Sequence, residues 1–235
     1  MLARSERPFY SRAGALDGAR LTLPLLPGIV VYASAFGAAA AQKGLSLWEA
    51  VAFSAFVFAG ASQMLALELW TEPWTLSALL EVTAVTTLIN GRMMLMSAAV
   101  QPWMAGGPRA VNALSFFLFT DASFILSTRA REEADRDLGI LLGAGGVLWV
   151  VWTLATVPGY LAGALVGEPR RYGLDLVLPI FFAAMLVPLW RGMRPALPWA
   201  AAGAVALLVQ ALVPGYLFIL AGAIAGMAVG ALIRD

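Results

Sequence analysis

Cysteine and histidine are both missing from this chain of 235 residues. Without cysteine there are no disulfides, no thiol nucleophile and no thiolate metal site. Without histidine there is no imidazole base and no imidazole ligand. Charge is scarce too: Asp, Glu, Lys and Arg make up 12%, against about a quarter in an ordinary soluble domain. The net charge of +1 argues against a nucleic-acid partner. No carboxylate cluster and no phosphate-cradling loop stands out. The expectation is therefore no metal, no cofactor and no enzyme.

What the chain has in abundance is apolar surface, 61% of its residues. Several windows of about 18 or more residues carry almost no charge, as a membrane-spanning helix requires. The pattern predicts an all-α integral membrane protein, a polytopic helical bundle of about seven to eight segments in the bilayer. They fall near 21–41, 48–70, 77–100, 111–128, 138–166, 174–190, 197–212 and 214–232. Trp48, Trp70, Trp74, Trp103, Trp190 and Trp199 sit beside the breaks, as interfacial aromatics do. Trp149 and Trp152 do not fit that belt.

Residues 1–20 form a basic N-terminal stretch with Arg4, Arg7, Arg12 and Arg20 and no signal-peptide core. Phe9, Ala13 and Leu16 are spaced for an interfacial helix, and a loose tail is the alternative. Residues 21–235 read as one transmembrane domain. With eight crossings and the N-terminus in the cytoplasm, ten arginines face inside: Arg4, Arg7, Arg12, Arg20, Arg129, Arg131, Arg136, Arg191, Arg194 and Arg234. Lys43, Arg109, Arg170 and Arg171 face outside, so the positive-inside rule favours this orientation. The charged run from Arg129 to Asp137 reads as a solvated cytoplasmic loop.

Val157-Pro158-Gly159-Tyr160 and Val213-Pro214-Gly215-Tyr216 read as breaks within membrane helices. Leu26-Pro27 through Trp48 resembles Leu178-Pro179 through Trp199, which suggests an inverted repeat.

Polar side chains inside the segments are the candidate functional groups, because lipid offers them no partner. Thr83, Thr86, Thr87, Asn90 and Ser97 recur at helical spacing and line one face of the third segment. They line a cavity, or the threonines bond their own backbone. Arg92 and Asp121 flank the Gly106-Gly107 turn symmetrically, so in an antiparallel hairpin they share a depth. They form a structural ion pair or a proton or substrate site. Gln63 follows the small residues from Ala59 to Ser62; its amide pairs with Asn90, binds a substrate, or clamps two helices, and Gly60 leaves room for a close approach.

FAGASQ at 58–63, INGRMMLM at 89–96, FTDASF at 119–124 and YGLDLVLPIFFAAML at 172–186 resemble, in order and spacing, the successive signatures of AzlC-like proteins. These are the large subunits of branched-chain amino-acid exporters. The resemblance implies a bacterial inner-membrane exporter driven by the proton gradient and working with a small AzlD-like membrane subunit. It marks Gly60, Gln63, Asn90, Arg92, Thr120, Asp121 and Asp175. Met93 and Ala122 stand where the family usually has His and often has Glu, which leaves coupling to Asp121 or another group and opens the substrate to other apolar amino acids such as methionine. The competing reading is a non-transporting scaffold whose polar residues only hold helices or a partner together.

Overall fold

The structure, a computed structural model, describes residues 10–70, 73, 75–133, 137–165, 190, 192–213 and 217–233. Its elements are helices, with no strand among the described residues. Ser11 caps the first helix, α1 (Arg12–Thr22), by accepting from the Gly14 N–H at 2.8 Å. A 3-10 turn at Leu23–Leu25 joins it to α2 (Leu26–Gln42). The combined run of 31 residues begins nine residues before the expected first segment. At about 1.5 Å per residue it is longer than a bilayer core is thick.

This run packs along α8 (Gly139–Leu165), and the two are parallel. Gly18 meets Ile140, Gly37 meets Thr156, and Gly163 meets Ala38. A Cβ on Gly143 would lie 1.9 Å from the Ala15 carbonyl oxygen, and one on Gly159 would lie 2.1 Å from that of Ser34. Small residues thus let two backbones approach where lipid supplies no hydrophobic drive. Both helices start at one end of the molecule, the near end. There the Asp137 carboxylate accepts from the Ser11 N–H at 3.0 Å, the Gly139 N–H at 2.9 Å and the Ser11 hydroxyl. Asp137 is therefore a tie between two helix starts rather than part of a free loop.

Two expected crossings turn back instead. The segment expected at 48–70 is α3 (Leu47–Val57) and α4 (Gly60–Glu68). α3 starts at the far end, where Tyr160 donates to the Leu45 carbonyl at 2.7 Å. It descends past Thr156, whose hydroxyl is 2.7 Å from that of Ser54. By Gly60 the chain is level with Trp152 and Tyr32. α4 then returns, since the Lys43 ammonium reaches the Glu68 carbonyl at 3.4 Å. A chain that had gone on downwards would be about 30 Å from Lys43 by then.

The mirror case is the segment expected at 111–128. α5 (Leu76–Met104) runs from the far end to the near end. α6 (Arg109–Phe117) starts there, with Asn112 accepting from the Tyr10 hydroxyl at 2.9 Å and donating to the Met104 carbonyl at 3.1 Å. It rises until Leu118 meets Gly145. α7 (Asp121–Glu133) comes back, because Asp137 is again at the near end and only a few residues remain to reach it. The two helix-plus-hairpin units, α1–α4 and α5–α7, therefore run in opposite directions.

Among the described residues four helices are long and apolar enough to cross a membrane: the α1–α2 run, α5, α8 and α9 (Met193–Leu212). α10 (Leu217–Leu232) is shorter and packs back on α9, with Gly222 and Gly226 against Ala202. Seven to eight crossings are not found among the described residues, where two of the expected segments are hairpins that return to the end they start from. The segment at 174–190 lies outside the described residues except for Trp190, as do Leu178-Pro179 of the expected repeat and most of the 213–216 break. The break expected at Pro158 does not occur: α8 runs through it. Close packing against α2 holds that turn, and the Ser34 hydroxyl donates to the Ala155 carbonyl at 3.2 Å.

Candidate functional site

The two hairpin tips converge at mid-height on α5. At the first tip, Phe58 adopts a left-handed backbone (φ 43°, ψ 44°), an unusual conformation for a residue with a side chain, worth roughly 1–2 kcal/mol. It ends α3, and Ala59 in turn opens α4. Such a break orphans carbonyls behind it and N–H groups ahead of it. Trp149 donates its indole N–H to the Ala55 carbonyl at 2.8 Å, and Gln63 Oε1 accepts from the Ala59 N–H at 3.2 Å. Gln63 is fully buried, and its Nε2 has no acceptor among the described residues. So Gln63 turns back to its own tip instead of pairing with Asn90. It is Ser62, one residue earlier, that meets Asn90, 3.1 Å from Oδ1, and also the Ala59 carbonyl at 2.9 Å; its one proton serves one of them at a time.

Gly60 carries no side chain because two rings occupy the place. An added Cβ would lie 2.6 Å from Trp152 Cη2 and 3.0 Å from Tyr32 Cε1. Those rings meet edge to face with centroids 5.1 Å apart, and Phe36 stacks on Trp152. This accounts for both tryptophans that did not fit an interfacial belt.

The second tip, Leu118 to Thr120, is closed differently. Thr120 Oγ1 accepts from the Ser123 N–H at 3.1 Å, while Ser123 Oγ accepts from the Thr120 N–H at 2.9 Å, a reciprocal cap. Asp121 follows in the first turn of α7, where the positive helix end favours a carboxylate. Arg92 pairs with it at 2.9 Å.

FAGASQ and INGR thus meet through Ser62 and Asn90, and INGR and FTDAS through Arg92 and Asp121, while Gly60, Gln63 and Thr120 contact only their own tip or the rings beside it. The threonine stripe does not join them. Thr83 and Thr86 donate to the carbonyls of Leu79 and Val82 at 2.7 and 2.6 Å, and Thr87 is exposed. Asp175 lies outside the described residues. Tyr32, Trp149 and Trp152 were missed as site residues, although two tryptophans in mid-helix were a signal. So was the shared pattern Phe-x-x-Ala-Ser at Phe58–Ser62 and Phe119–Ser123, one copy at each tip. Among the described residues no acidic cluster could hold a metal ion.

The family model described as AzlC protein matches residues 24–166, from the start of α2 to the end of α8, including both hairpins. A protein named "Uncharacterized membrane protein" from Archaeoglobus fulgidus is 29% identical over 208 residues, covering 87% of this chain and 89% of that one. The "Inner membrane protein YgaZ" of Escherichia coli K12 is 29% identical over 199 residues, covering 80% and 78%. No solved structure matches. With four helices long enough to span and a family match across most of the chain, this is a membrane protein of the AzlC family.

Proposed function

We propose that the protein is a secondary transporter that exports branched-chain or similar apolar amino acids, coupled to protons through Asp121 and Arg92, and that it works with a small AzlD-like membrane subunit. The observation that carries this reading is the meeting of two opposed hairpin tips at one level, around a buried amide and an ion pair. Irregular backbone at membrane depth is tolerated where it lines a protected or wet site. Broken elements of opposite orientation are how transporters build sites that open to either side.

The placement of the basic residues supports an orientation with the N-terminus inside. Arg12, Arg109 and the last turn of α7, with Arg129 and Arg131, belong to the near end, and Lys43 to the far end. Arg109 thereby moves to the N-terminal side, which sharpens the charge asymmetry. The near end with the N-terminus faces the cytoplasm of a bacterial inner membrane. Asp175 remains a position marked by the resemblance.

Reconstitution tests the reading. Liposomes are loaded with leucine, isoleucine, valine or methionine, with and without the small subunit, and efflux is followed under an imposed pH gradient. Efflux that collapses with the gradient is expected. If no amino acid moves under any gradient, the scaffold reading stands instead.

A further inference from the structure

We infer that the first hairpin tip is an anion subsite that takes a carboxylate, with Gln63 Nε2 as its side-chain donor. This deepens the transport reading, on which the identity of the carboxylate's carrier, an apolar amino acid, rests. Gln63 Oε1 is committed to the Ala59 N–H, which leaves Nε2 as the donor the amide has to spare. That donor is buried, at the tip, and without an acceptor. Such a group is costly unless something accepts from it. The indole N–H of Trp152, whose ring lies against Gly60, is likewise buried with no acceptor among the described residues. Both orphaned atoms are donors, so the group they lack is an acceptor.

α4 opens at the same point. A helix leaves its first amide N–H groups without intrahelical partners and carries positive potential at that end. Two residues along α5 from Asn90, which Ser62 of this tip meets, Arg92 is paired with Asp121 at the start of α7. The second tip makes the same point by contrast. In the shared Phe-x-x-Ala-Ser frame its third position is Asp121, a carboxylate of the protein's own at a helix start. The first tip has Gly60 there. One helix start brings its own anion; the other presents donors and the room that glycine leaves.

The test uses the purified full chain in detergent and its melting temperature against leucine, 4-methylpentanoate, which keeps only the carboxylate, and leucinol, which lacks it. Leucine and 4-methylpentanoate are expected to raise the melting temperature saturably, and leucinol is not. Gln63→Glu keeps an oxygen for the Ala59 N–H and replaces the donor with negative charge. It should weaken both carboxylates at least about tenfold, the loss of one charge-assisted hydrogen bond. Should that variant not fold, Trp152→Phe keeps a ring and removes the N–H, with a several-fold weakening expected. Stabilisation by leucinol equal to that by leucine, no effect of either carboxylate, or unchanged affinity in the folded variants overturns the subsite. Carboxylate binding without transport would keep the subsite and remove the exporter reading. Equal transport of leucine and leucinol would do the reverse.

Discussion

The two hairpin tips solve one problem in two ways. Each must turn a chain back in the middle of an apolar bundle, and each turn leaves backbone groups that lipid cannot satisfy. The second tip closes locally, through the Thr120–Ser123 cap, and adds the Asp121–Arg92 ion pair. The first closes through distant partners: Trp149 of α8 caps α3, and Tyr32 and Trp152 cover Gly60. It also keeps a left-handed phenylalanine and buried donors without acceptors among the described residues. A local cap makes a self-sufficient turn that can carry charge. A turn dependent on distant partners is coupled to whatever moves them or binds among them.

Three substitutions press on this contrast. Asp121→Asn should have the largest effect, cutting gradient-driven efflux by about two orders of magnitude, the scale of losing a proton-transfer group. The amide still suits the start of α7, so folding survives. Wild-type efflux in that variant would leave the second tip a structural turn. Gly60→Ala comes next. Its Cβ meets Trp152 and Tyr32, and overpacking of this kind destabilises by roughly 1–3 kcal/mol. Gly91→Ala on α5 is the control, since nothing lies within 4 Å of its Cβ position, and it should cost no stability. Denaturation of both variants checks this, and equal melting would mean the rings move aside freely. Thr120→Ala is the smallest, about 1 kcal/mol for a lost cap. A loss as large as that of Gly60→Ala would show that the second tip is no more self-sufficient than the first.

Part of the site was legible beforehand. The symmetric placement of Arg92 and Asp121 about Gly106-Gly107 depends only on antiparallel neighbours joined by a short turn, and the two do pair. Gln63 with Asn90 used the same logic, and the contact falls one residue away, at Ser62. The threonine stripe left a lined cavity and backbone-bonded threonines both open, because a helical period shows which side chains share a face, not what lies opposite. Two of its hydroxyls found acceptors one turn back on their own helix.

The sequence by itself determined that this chain belongs in a membrane, which stretches are apolar, and that Arg92 and Asp121 share a depth. Those properties are additive along the chain: apolar length, scarcity of charge, loop spacing. Only the tertiary structure decided that 48–70 and 111–128 turn back at mid-depth while α8 runs straight through Pro158. A re-entrant pair and a spanning helix have the same length and apolarity. What separates them is whether the groups orphaned at a break find partners. At Ala55 that partner is Trp149, while Trp152 and Tyr32 cover Gly60, all three brought there from other parts of the chain by the parallel packing of α2 and α8.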